Sequence, residues 1–219
     1  MQKLNGFILL LFLLMLSSCS SSSSVKAQND KKALHSEEKK IQTAALINAQ
    51  LGLLYLEKKD ISRAKQKLLL SIEEGPKLPE TWYAMGYFLE MTGNLGEAKA
   101  HYLKAIQLAP KRGDVLNNYG TYLCRQGDYK NAIIYFMRAA KDPNYLEPAA
   151  AYENAGLCAL KIPNQTLAAD YFRSALVQDP NRLLASRELT KLNKHRDSFI
   201  EEEPSGGDHA DLRLTSTSD

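Results

Sequence analysis

Side chains able to do chemistry are present in this sequence, but they are scattered. The three cysteines stand at 19, 124 and 158 and form no CxxC pair. The four histidines stand at 35, 101, 195 and 209, too far apart along the chain for metal-ligand spacing, so no metal site and no cofactor is expected. A nucleophile elbow, a phosphate-binding glycine loop, a dinucleotide fingerprint and a zinc-protease helix motif are all missing. The 28 Lys and Arg residues and the 25 Asp and Glu residues are interspersed, for a formal charge of +3. No basic stripe for phosphates appears, which argues against nucleic acid as a partner. Carboxylates without convergent partners read as a solvated charged face, not as an acid–base pair. The expectation is therefore a binding protein rather than an enzyme, with no small-molecule substrate.

The elements that carry these residues are more informative. With 44% hydrophobic and 24% charged residues over 219 positions, the balance is that of a globular chain. Its beginning stands apart. Lys3 precedes an apolar run from Phe7 to Leu16, followed by Ser17, Ser18 and Cys19. A basic start, a short apolar core and small residues before a cut site make a secretory signal. The run is too short to cross a bilayer, which takes about 20 apolar residues. Leu16-Ser17-Ser18-Cys19 also resembles a bacterial lipobox. That resemblance implies removal of residues 1–18 and lipidation of Cys19, whose acyl chains would hold the protein on a membrane. Ser20 rather than Asp follows the cysteine, which in such lipoproteins implies export to the outer membrane, on its periplasmic face. The Ser-rich, polar stretch 19–37 is expected to be a tether.

The middle of the chain repeats. Gly52, Gly86, Gly120 and Gly156 are spaced by 34, 34 and 36 residues, and Ala64, Ala98, Ala132 and Ala168 keep the same intervals. Asp60, Asn94, Asp128 and Asn164 form a third column, and Pro76, Pro110, Pro143 and Pro180 close the units. The period resembles the tetratricopeptide repeat, a helix–turn–helix unit. The small residues sit where two antiparallel helices cross closely. The Asx residues fall at the N-cap of the second helix, and Gly93 and Gly127 supply a left-handed end to the first. The prolines lie in loops where no helical N–H is needed. The fold class is thus expected to be an all-α tetratricopeptide-repeat superhelix over residues 38–200. Its repeats are placed at 45–78, 79–112, 113–146 and 149–182, with a capping helix at 183–199 and a polar, disordered tail at 201–219.

Stacked first helices of such repeats line a concave face. Leu46, Ala49, Leu53 and Leu56, then Tyr83, Tyr87 and Met91, are expected there as an apolar patch for a partner's amphipathic helix. The next two repeats turn polar, with Asn117, Thr121 and Arg125, then Glu153 and Lys161. Cys124 and Cys158 lie one repeat length apart, near the ends of neighbouring first helices. In an oxidising compartment they are expected to form a disulfide.

The string from Leu116 to Cys124, LNNYGTYLC, then Gly127 and Phe136, Asp142-Pro143-Asn144-Tyr145, and ENAGLCAL from Glu153 to Leu160 narrow the match further. They resemble the type IV pilus biogenesis/stability lipoproteins (PilF/PilW), the pilotins of the pilus secretin. That resemblance implies a lipid-anchored superhelix that carries the type IV pilus secretin to the outer membrane and promotes its multimerisation. Family members commonly continue into further repeats, whereas here half a repeat precedes the polar tail. A lipoprotein adaptor of another envelope machine, for outer-membrane protein assembly or wall-hydrolase recruitment, would share the lipobox and repeats but not the NNYG…LC string.

Overall fold

In a computed structural model of the chain, the backbone is described for residues 20–201 and the side chains for residues 28 and 31–194. The expected signal sequence, the lipidation site at Cys19 and the tail beyond residue 201 lie outside the described residues. The described residues form nine helices: α1 Ser20–Glu57, α2 Ile61–Glu74, α3 Pro79–Met91, α4 Leu95–Leu108, α5 Gly113–Arg125, α6 Tyr129–Ala140, α7 Pro148–Ala159, α8 Gln165–Gln178 and α9 Leu183–Glu201. They gather into two compact units, α1–α4 and α5–α9, dividing after Pro110.

Each helical pair closes on its small residues. A Cβ placed on Gly52 would come within 2.5 Å of the Leu68 side chain, and one on Gly120 within 2.8 Å of Phe136. Only the missing side chain lets α1 and α2, or α5 and α6, cross at that distance. Ala64, Ala98, Ala132 and Ala168 are fully buried opposite these glycines. Turn chemistry follows the Asx column with one exception. Asp60, Asn94 and Asn164 accept a hydrogen bond from the backbone N–H three residues on, at Arg63, Glu97 and Leu167. Asp128 makes no such bond; both its oxygens accept instead from the Asn131 side-chain amide, at 2.9 and 3.0 Å. Gly93 and Gly127 are left-handed, with φ of 87° and 84°. In the first repeat the same position is held by Lys59, at φ 61°.

In the first unit, Ala49, Leu68, Ala84, Met85 and Phe88 form the core, flanked by Leu53, Leu56 and Tyr83. Two buried polar groups tie α1 to α2. Ser71 Oγ donates to the Ala45 carbonyl (2.8 Å), and Asn48 Nδ2 donates to Glu74 (2.8 Å) while Asn48 Oδ1 accepts from Lys67 (3.2 Å). Both the nitrogen and the oxygen of that amide are bonded, which is how it can be buried at little cost. In the second unit, Leu116, Ala139 and Ala151 seal α5, α6 and α7. Ala159, Phe172, Ala175 and Ala185 join α7 and α8 to α9. The outer side of α9 is charged, with Lys191 bonded to Glu188 at 2.9 Å, as the end of a repeat array requires.

The beginning of α1 departs from the expected tether at 19–37. The helix runs back to Ser20, for 38 residues in all, about 57 Å. Residues 31–43 are exposed on every side. Their Lys, Ala, Glu and Gln side chains are good helix formers, and only Leu34 and Ile41 give the segment an apolar side, beside the loop at Gly75–Leu78. The periodicity that marks a buried helix is therefore missing although the helix is present.

Candidate functional site

The first unit carries an open apolar cleft of about 940 Å³. α1 supplies Leu53, Leu54 and Leu56, the turn Lys59, α2 Ile61, and α3 Tyr87 and Met91. These residues meet because the last turns of α1 and α3 lie side by side and the left-handed turn at Lys59 swings Ile61 back alongside α1. Leu54 is 51% exposed and Met91 56% exposed, so none of the described residues folds over these apolar atoms. Residues 31–44 continue α1 as an exposed helix and do not cover these leucines.

Of the groove expected from the sequence, Leu53, Leu56, Tyr87 and Met91 line the cleft. Leu46 is half-buried on α1 and Tyr83 packs against the core. Ala49 is corrected: it is buried to 4% exposure in the seam with Ala84 and Met85, and offers no surface. Its methyl group lies on the same side of α1 as Ala45 and Gly52, where α2 and α3 close in. Gln50, Leu54, Glu57, Lys59 and Ile61 also line it, outside the groove expected from the sequence. The signal that could have found them is a second apolar face on α1, with Leu46 and Ile47 recurring as Leu53 and Leu54 seven residues later.

In the second unit the expected positions are engaged internally. Asn117 Oδ1 accepts from Asn154 Nδ2 (3.0 Å), and Thr121 Oγ1 donates to the Asn117 carbonyl (2.9 Å). Glu153 accepts from the Ala185 N–H (3.1 Å) and pairs with Arg182 (3.5 Å), so it holds α9 in place. Arg125 and Lys161 are exposed. The structure joins Cys124 and Cys158 in a disulfide, with Cα atoms 5.8 Å apart, linking α5 to α7 beside the Asn117–Asn154 bond.

Electrostatics in this unit gather at the loop before α7. Asp142 accepts from the backbone N–H groups of Asn144 (3.0 Å) and Gly113 (2.7 Å), and these bonds hold its carboxyl below the usual range. Burial, with Asp114 and Glu147 nearby, pushes the Tyr145 phenol up to about 12. Among the described residues no three His, Cys, Asp or Glu side chains converge to hold a metal ion. No described helix is long and apolar enough to cross a membrane. What the first unit offers is a surface for an apolar face of another molecule.

The tetratricopeptide-repeat family matches residues 79–112, 101–134 and 120–182. The type IV pilus assembly protein PilF of Pseudomonas aeruginosa is 29% identical over 143 residues, 65% of this chain and 57% of that protein. Its solved structure superposes with a TM-score of 0.66 at 26% identity, covering 75% of this chain and 72% of that one. The crystal structure of PilW, described as a widely conserved type IV pilus biogenesis factor, gives 0.63 at 25% identity and 72% of each chain. This chain is a PilF/PilW-like tetratricopeptide-repeat protein. An uncharacterized protein of Haemophilus influenzae is 34% identical over 118 residues, 54% of this chain and 66% of that protein. The match thus spans less than two thirds of both sequence relatives. The PilF/PilW-like chain is thus similar to type IV pilus biogenesis factors and shares their tetratricopeptide-repeat fold.

Proposed function

We propose that this protein is an outer-membrane lipoprotein, anchored through Cys19, that acts as pilotin for the type IV pilus secretin. It promotes the secretin's localisation and multimerisation, and so pilus assembly. The observation that carries the reading is the uncovered apolar cleft of Leu53, Leu56, Tyr87 and Met91, on a chain similar to a pilus assembly protein. An amphipathic helix of the secretin lays its apolar face there, anchored by side chains at i, i+3/i+4 and i+7. The signal run ending in Leu16-Ser17-Ser18-Cys19 supports the anchor. The test is co-purification of the secretin with the membrane-extracted protein, in parallel with a Cys19→Ala variant. The secretin should come down with the wild-type chain, and the variant should lose both acyl labelling and outer-membrane fractionation. Recovery of an outer-membrane assembly factor or a wall hydrolase in place of the secretin would overturn the reading.

A further inference from the structure

α1 buries one side and presents a second apolar side that the other described helices meet only at the Leu53 margin. Ala45, Ala49 and Gly52 point into the core. Opposite them lies a flank centred on Gln50, which is exposed. Ile47 and Leu54 are each 51% exposed there, and Leu46 and Leu53 are half-buried at its margins. A helix that is apolar on both sides is normally covered on both.

The pattern on this flank reads the same in both directions. Counting about 100° per residue from Gln50, Leu46 and Leu54 lie about 40° to either side, and Ile47 and Leu53 about 60° to either side. A second α1 laid antiparallel about Gln50 therefore sets Leu46 beside the partner's Leu53 and Ile47 beside its Leu54, each contact made twice. This is the self-complementarity that a two-fold interface demands. The central glutamine faces its own copy, and a primary amide both donates and accepts, so the pair satisfies itself. Charges agree as well. Seven residues out, Glu57 stands over the partner's Thr43, with the partner's Lys39 one turn beyond; all three are exposed. In a parallel pair Glu57 would meet Glu57 and Lys39 would meet Lys39, which is repulsive.

We infer that the outer flank of α1 docks a second copy of this chain, as an antiparallel two-fold helix pair centred on Gln50. The occupant is a copy of α1 rather than an unrelated helix, because the apolar and charged positions complement themselves. Leu53 and Leu54 also line the cleft described above, so dimerisation and occupation of that cleft by a partner compete. The dimer itself does not depend on the pilus reading.

Cysteine cross-linking of the full-length protein in membranes tests this. Gln50→Cys places a thiol on the two-fold axis and is expected to give, on mild oxidation, a covalent band at twice the monomer mass. Thr43→Cys alone is expected to give none, since its copies would lie about 21 Å apart along the axis, far beyond disulfide reach. Thr43→Cys with Glu57→Cys is expected to cross-link. These positions are exposed, so the variants keep the fold. A monomer band from Gln50→Cys, or a Thr43→Cys dimer as strong as the Gln50→Cys one, would overturn the proposal, the latter in favour of parallel pairing or random collision. Failure to recover a secretin would leave this result untouched.

Discussion

Reducing the Cys124–Cys158 bond should loosen the second unit and leave the first almost unaffected. The bond closes a loop of 34 residues between α5 and α7. In the chain-entropy account a loop of this length restricts the unfolded chain by about 4 kcal/mol at 25 °C. On the folded side Cys158 is fully buried, and the Asn154–Asn117 bond joins the same two helices. Substituting Cys158 by Ala would mix the loss of the bond with the loss of buried sulfur. Reduction of the wild-type protein is the cleaner perturbation. Near 4–8 °C per kcal/mol for a domain of this size, the midpoint for the second unit should fall by well over 10 °C. The assay is thermal unfolding followed by circular dichroism with and without a membrane-permeant thiol reductant, with alkylation to confirm that both thiols are free. An unchanged midpoint in a fully reduced sample would refute the reasoning, because it would mean that α7 and its seam with α5 are already fixed by packing.

Three further outcomes follow from the geometry. Lys59→Gly removes a left-handed side-chain residue at φ 61° and should raise stability by roughly 0.5–1 kcal/mol, read as a higher urea midpoint with an unchanged slope. The Tyr145 phenol is pushed up to about 12 from an ordinary value near 10, so the folded state holds its proton where the unfolded state has lost it. Stability should therefore be level below pH 10 and fall as pH climbs from 10 towards 12, and Tyr145→Phe should flatten that decline in a pH series of urea midpoints. For Asp142 the sign is opposite. Its carboxyl is held low by the Asn144 and Gly113 N–H bonds, so its contribution is present above pH 4 and lost as pH falls through the lowered value; Asp142→Asn should show a shallower acid limb.

The repeat architecture was readable because its constraints are local. A glycine against Leu68 or Phe136, an Asx oxygen at a helix start and a proline in a loop each depend on a few neighbouring residues. The first helix was legible only from Ala45 onward, where α2 and α3 impose an apolar face on it. From residue 31 to residue 43 all side chains are exposed and, among the described residues, only the loop at Gly75–Leu78 lies alongside, and helix-forming side chains with so little to pack against leave no periodic trace. Ala49 was misplaced for a related reason. Its position on the helix wheel lies between the core and the groove, and only the approach of Ala84 and Met85 decides which it joins. The engagement of Asn117 with Asn154 depends on the spacing of two helices 37 residues apart in sequence, which no single-repeat reading carries. The cleft's far wall at Lys59 and Ile61 depends on the left-handed turn, and a lysine there gives no warning of it.

The proposed function requires the cleft of the first unit to receive the secretin. Leu53→Glu with Tyr87→Ala removes two of its anchors, and truncating buried anchors costs about 2 kcal/mol or more each, together roughly a thousandfold in affinity. The decisive measurement is the yield of heat- and detergent-resistant secretin multimers in outer membranes from cells carrying this double variant. Its helical signal and membrane attachment are checked alongside. If the secretin docks in this cleft, multimers and surface pili are lost while the folded, anchored protein persists at its usual level. Normal multimer yield from a folded, anchored double variant would contradict it.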